Sequence, residues 1–223
     1  METSLDKKPK RETIETLLRQ NPQLWRGKSR IEHASPQAQF LGTGYKSLDK
    51  VLPGGGWPQG SVIEVVVSSW GQGELSILLP LMAILSQNQQ PIVFIAPPYM
   101  PYAPAMQAAK VDLQHLWVIE KGIEAKDEAW AAEKILATAQ GALVLVFAQL
   151  TAKQIRRLQV AASLGLSLGV LVRCGKAVQT PVSLRLGLTY QDKGLQVDIL
   201  KARQLPKDPS EVAGQAGPLL LKI

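Results

Sequence analysis

The residues best placed for chemistry are Ser68, Ser69, Trp70, Gly71, Gln72, Gly73 and Glu74, a glycine-containing loop that follows the apolar run Val62 to Val67. A strand running through such a loop into a helix is a common cradle for phosphate. The glycines let backbone amides approach, a lysine reaches the β and γ phosphates, and a hydroxyl holds magnesium. If Gly73 is taken as the last glycine of that pattern, Glu74 stands at the lysine position and Leu75 at the hydroxyl position. The charge facing a phosphate would be inverted. A second strand candidate, Leu143 to Phe147, ends on an aromatic ring where an aspartate would hold the metal. Two separate losses predict a degenerate phosphate site with no catalytic residue, no hydrolysis and no cofactor. Taken alone, the loop suits an ordinary strand-to-helix turn of an unrelated fold equally well.

Other chemistries have little to work with. Cys174 is the only cysteine, and His33 and His115 lie far apart, so neither a disulfide nor a Cys/His metal site is expected. Net charge is +7, and its distribution says more than its total: between residues 31 and 109 the only lysines or arginines are Lys46 and Lys50. The excess sits towards both ends, where acidic residues are mixed in, so a solvated surface and a binding patch are equally compatible with it. Arg156 and Arg157 read first as a solvated helix face.

These residues must be positioned by a core of about one domain. Apolar runs at Val62 to Val67, Ile92 to Ala96, Leu116 to Ile119, Leu143 to Phe147 and Leu168 to Val172 read as strands covered on both faces. Helical patterns at Glu74 to Gln87, Ala103 to Lys110, Asp127 to Ala139 and Thr151 to Leu164 alternate with them. That alternation predicts an α/β fold with a mostly parallel sheet flanked by helices. Ser183 to Tyr190 and Leu195 to Lys201 alternate apolar and polar residues around the turn Gln191 to Gly194, which predicts a C-terminal antiparallel hairpin. The expected division is residues 1–40 as an N-terminal helix and linker, 41–205 as the core, and 206–223 as a flexible tail. The apolar end Leu219 to Ile223 is expected to pack as a last strand, with a partner-binding peptide as the alternative. No run approaches the roughly 18 apolar residues of a membrane span, and no apolar signal core follows the N-terminal lysines, so a cytoplasmic protein is expected.

The segment Thr43-Gly44-Tyr45-Lys46-Ser47-Leu48-Asp49-Lys50-Val51-Leu52, with Gly54 to Gly60 and Glu64, resembles the entry to a RecA-like core. More narrowly, Leu24-Trp25-Arg26-Gly27, Leu52-Pro53-Gly54-Gly55-Gly56-Trp57-Pro58, Gly73-Glu74-Leu75 and Ala96-Pro97-Pro98-Tyr99-Met100-Pro101-Tyr102-Ala103-Pro104 are similar to the ImuA family. These are RecA-like accessory proteins of SOS-induced translesion DNA synthesis. The SulA family of division inhibitors, acting on FtsZ, is related and supplies the alternative function.

The ImuA resemblance implies a non-enzymatic role in DNA repair and mutagenesis. The implied partners are RecA and an inactive Y-family polymerase homologue, ImuB, with an error-prone replicative-type polymerase engaged indirectly. RecA carries two long DNA-binding loops, whereas here Ala148-Gln149-Leu150 leads straight into a helix and Cys174 to Thr180 is a short link. Direct DNA binding is therefore expected to be weak or absent. RecA also has a Lys-x-Lys pair that reaches the neighbouring subunit, and Lys201 and Arg203 keep two cations at that spacing, marking them as candidates for partner contact. Ordinary edge-strand charge would look the same. Ile14, Leu17 and Leu18, with Trp25, form a second candidate element that binds RecA, binds a second copy to make a homo-oligomer, or folds back on the core. A peptide groove lined by Trp70, Tyr99 and Tyr102 is the alternative to simple stiffening of the Pro97 to Pro104 segment.

Overall fold

Apolar runs form an eight-stranded mixed sheet in the computed structural model, which describes residues 39–121, 125–175, 179–192, 194–202 and 218–222. All of these fall in the unit Ala38–Ile223. The central strand β3 (Ser61–Val67), which follows the two short strands β1 (Phe40–Leu41) and β2 (Trp57–Pro58), is buried from Val62 onward. Its neighbours are β7 (Leu168–Cys174) on one side and β8 (Leu184–Gln191) on the other, both parallel to it. Beyond β7 lie β6 (Leu143–Val146), β4 (Ile92–Ile95) and β5 (Leu116–Ile119), all parallel. Beyond β8 the sheet turns antiparallel through β9 (Gly194–Ala202) and β10 (Leu219–Leu221). The strands that face helices on both sides are the continuous apolar ones, as burial on two faces requires.

Side chains alternate across β3 and divide the core in two. Ile63, Val65 and Val67 join the cluster that includes Leu81, Met82 and Leu85 of helix α2 (Leu79–Gln87), which follows the short helix α1 (Lys46–Val51). Val62 points to the other face. There it packs with Ala132 and Leu136 of α4 (Ala125–Thr138) and Ile155, Leu158 and Ala162 of α5 (Ala152–Gly165); the short α3 (Ala103–Ala108) lies between β4 and β5 in the chain. Helix α5 starts sharply because Thr151 and Gln154 form a reciprocal capping box, with Gln154 Oε1 accepting from the Thr151 amide at 2.8 Å.

One feature differs from the sequence expectation. Helix α2 begins at Leu79, not at Glu74. Gly71 and Gly73 have φ of +80° and +88°, and residues after them close i to i+3 turns, with Ser76 N–H on Gly73 O at 3.0 Å. Pro80, fitted to a helix's first turn, marks where the regular helix starts. The apolar end of the chain packs as a last strand, as its sequence leads one to expect. Leu219–Leu221 pairs with Leu195–Val197, and Leu221 is buried. Gly194 permits this approach, since a Cβ there would sit 2.0 Å from the Leu221 carbonyl oxygen.

The Thr43 to Asp49 segment is a local hydrogen-bonded staple. Asp49 Oδ1 accepts from the Thr43 amide at 2.9 Å, and Tyr45, which precedes α1, donates its hydroxyl to the Ser76 carbonyl at 3.0 Å. Burial raises the Tyr45 phenol above its ordinary value near 10. The folded protein therefore holds this proton where the unfolded chain has released it. Its contribution is fully present below pH about 10 and is lost as pH rises through the folded value. Tyr45→Phe is expected to cost about 1 kcal/mol at neutral pH and to flatten the alkaline decline, as read from urea midpoints across pH.

Candidate functional site

The carboxyl ends of β3, β4 and β6 are where an open α/β sheet offers a ligand site, and here the chain fills that place with its own side chains. Phe147, just past β6, stacks on Phe94 at 6.2 Å between ring centroids and 10° between planes. Trp70 leans on Phe147 at 5.9 Å. Glu74 turns back into its own loop and accepts the Gly71 amide on Oε1 at 3.0 Å. Ser68 donates to Gln72 Oε1 at 2.7 Å, and its carbonyl accepts from Cys174 Sγ at 3.4 Å, closing the loop from the other side.

Glu74 is nearly buried, and its Oε2 has no hydrogen-bond partner among the described residues. A phosphate here would meet a carboxylate at close range and would compete with it for an amide donor. The cavity left beside the loop, about 230 Å³, is lined by Trp70, Glu74, Tyr99, Tyr102 and Phe147 among others. It lies below the usual range of small-molecule pockets, roughly 300–1,000 Å³. Trp70, Tyr99 and Tyr102 are thus brought to one cavity, although Tyr99 and Tyr102 stay largely exposed. The arrangement can shield the strand ends and present aromatic edges.

A second constellation sits on the opposite face of the sheet. Glu64, in the middle of β3, is fully buried, and Arg185 lies directly beside it on β8 in the strand register. Arg185 Nε donates to Glu64 Oε2, which also accepts from Thr180 Oγ1 at 3.0 Å. Arg173 of β7 brings its Nε to 2.9 Å from Oε1, off the direction of a good hydrogen bond, so this contact is mainly one of charge. Arg173 also donates to the Leu150 carbonyl at 3.3 Å, tying the network to the approach to α5.

Lys201 joins the edge of this network. It pairs with Arg185 across β8 and β9, and its Nζ donates to the Thr180 carbonyl at 2.6 Å. With Arg156 and Arg185 it lines an open groove of about 390 Å³. Arg203, Ile14, Leu17, Leu18 and Trp25 lie outside the described residues. Arg156 and Arg157 are both exposed, as a solvated helix face leads one to expect, and Arg157 pairs with Glu133 at 2.5 Å. The Glu64 network was not singled out as a site from the sequence. Its signal was a charged residue inside an otherwise apolar run, but its partners become evident only when β7 and β8 are known to flank β3.

Together these features define an α/β protein with a mostly parallel eight-stranded sheet and a self-filled loop at the carboxyl end of its central strand. No protein-family model matches the chain, and no curated protein matches it. Among the described residues, no helix is long and apolar enough to cross a membrane, and no group of three or more His, Cys, Asp or Glu side chains is placed to hold a metal ion.

Proposed function

We propose that this chain is a non-enzymatic, RecA-like accessory protein of SOS-induced translesion synthesis and DNA repair, acting by binding RecA, an ImuB-type polymerase homologue, or both. The observation that carries the reading is the Glu74 carboxylate on the Gly71 amide, at the place where a working RecA-like subunit would hold phosphate. A central loop-bearing strand flanked by β7 and β8, with an antiparallel extension through β9 and β10, suits such a core. The groove of Arg156, Arg185 and Lys201 then supplies a cationic edge for an acidic face of RecA or its bound nucleotide. In this reading the fold serves recognition between subunits, and its lost phosphate chemistry is no handicap.

Two measurements test the proposal together. ATP at up to about 1 mM, the upper end of ordinary KM values, is expected to leave the protein's tryptophan fluorescence unchanged and to release no phosphate. Immobilised full-length protein is expected to retain RecA or an ImuB-type homologue. The double variant Lys201→Glu, Arg203→Glu is expected to weaken RecA retention at least about tenfold. Saturable ATP turnover would overturn the non-enzymatic role. Failure to retain either partner, with inhibition of FtsZ polymerisation instead, would move the protein to the SulA-like class.

A further inference from the structure

Helices α4 and α5 lie together on one face of the sheet, burying Leu136 on one and Ile155, Leu158 and Ala162 on the other. Helix α5 also presents two apolar residues, and α4 one, that the sheet does not cover. Val160 and Leu164 on α5 are 62% and 73% exposed, and Trp130 on α4 is 58% exposed. Val160 and Leu164 are four residues apart and so share a helix face. With Trp130 and Ala137 they line a groove of about 580 Å³ between the helices. Trp130 also lines an adjoining hollow of about 540 Å³. Single exposed apolar residues are ordinary, whereas several converging on one groove mark an interaction surface.

The charges around this groove select its occupant. Lys134, Lys153, Arg156 and Arg157 line it against one carboxylate, Glu133, so four cations and one anion leave three positive charges. Glu133 is already committed to Arg157 at 2.5 Å. The cations flank an aliphatic floor, and the Lys134 ammonium lies 6.0 Å from the centroid of the Trp130 ring. A nucleic acid strand would use the cations but would find the ring partly claimed and an aliphatic floor in place of a stacking platform. A second copy packed face to face about a two-fold axis would set cationic rims against each other.

We propose that the α4–α5 groove docks an amphipathic helix from a partner protein, with apolar residues at i, i+4 and i+7 on the floor and acidic residues meeting the Lys134, Lys153 and Arg156 rim. This is helix-in-groove recognition, with Trp130 and Leu164 as anchors. The stretch from Lys153 to Leu164 spans about 16 Å, the length of about three helical turns. The groove shares no lining residue with the cavity beside the self-filled loop and shares Arg156 with the groove at Lys201, and the inference holds whether or not RecA is a partner.

The test uses full-length protein and a fluorescein-labelled helical peptide of roughly 16 residues, about four turns, with Leu at i, i+4 and i+7 and Glu on both sides of that stripe. Controls are a scrambled peptide of the same composition and a thymidine oligonucleotide. The expected result is saturable binding of the patterned peptide, weakened by added salt and at least about tenfold tighter than the scrambled one. Leu164→Glu and the double variant Lys153→Glu, Arg156→Glu are each expected to weaken it by a similar factor, with unchanged thermal melts showing that both fold. No binding of the patterned peptide, equal binding of the scrambled one, or unchanged affinity in both variants would overturn the proposal. So would displacement of the peptide by the oligonucleotide, or a dimer seen by sedimentation that Leu164→Glu dissociates.

Discussion

Glu64→Gln is expected to lower folding stability by about 3–5 kcal/mol, measured as a shift in urea midpoint at neutral pH. The carboxylate is fully buried and is the charge partner of both Arg173 and Arg185. An amide has the same shape but no net charge. Its substitution would leave two guanidinium groups on the strands either side of β3 facing each other across a neutral side chain. Each is largely withdrawn from water, so neither can recover its hydration without opening the sheet. Domains of this size are stable by only about 5–15 kcal/mol, which makes the loss a large share of the total. Arg173→Met is expected to cost less, because Glu64 would keep Arg185 and Thr180. If Glu64→Gln proved neutral within about 0.5 kcal/mol, the network could not be the electrostatic centre described here.

The position of this network explains why a buried charge is tolerated in the middle of the sheet. It lies where parallel pairing gives way to antiparallel pairing, at β3, β8 and β9. Thr180 connects three of its members, donating to Glu64 and accepting from Arg185 through its hydroxyl while its carbonyl accepts from Lys201. A one-residue slip of β8 would turn Arg185 to the other face and leave Glu64 without it. Apolar side chains in the same places would pack nearly as well in either register. The ions therefore specify an alignment that apolar burial leaves less sharply defined.

Much of the framework was legible because its signals are local. Leu116 to Ile119 and Leu143 to Val146 are short apolar runs that read as strands, and both are strands; Leu143 to Val146 is buried on both faces, whereas Leu116 to Ile119 forms the sheet's edge with Trp117 half exposed. The alternating pattern after Ser183 forms the antiparallel pair β8 and β9. The start of α2 was misplaced because the apolar pattern continues through Leu75, Ile77 and Leu78, whereas the positive φ of Gly71 and Gly73 keeps the backbone in turns. Strands β1 and β2 have two residues each, too short for any periodicity to register. At the loop, the inverted charge at Glu74 was visible in the sequence; that its carboxylate would take the Gly71 amide depends on the fold-back of the turn. The pairing of Glu64 with two arginines more than 100 residues away depends on strand order, which no local pattern encodes.

Trp57→Ala is expected to cost about 3–5 kcal/mol, because the Pro-Gly-Gly-Gly-Trp-Pro string is a packing device and not part of the phosphate loop. Trp57 has no exposed surface and belongs to the core cluster shared with Leu48, Leu52 and Ile63. It is carried inward by β2, which pairs with β1 through Leu41 opposite Trp57. The glycines before it are dictated by contact and backbone shape. A Cβ on Gly56 would lie 2.3 Å from the Leu41 carbonyl oxygen, and one on Gly54, which has φ of +85°, would lie 2.2 Å from the Phe40 ring. Removing the indole empties the space around which that close approach is built. Trp57→Phe is expected to cost less than the alanine change, since it keeps most of the volume and removes an indole N–H with no hydrogen-bond partner among the described residues. Thermal melts of the two variants separate the outcomes: a small loss for alanine would mean that β1 and β2 are held by other contacts. With the indole sealed inside, any loss of partner binding in Trp57→Ala should follow its loss of folded protein, and unfolding-corrected affinities should match the parent.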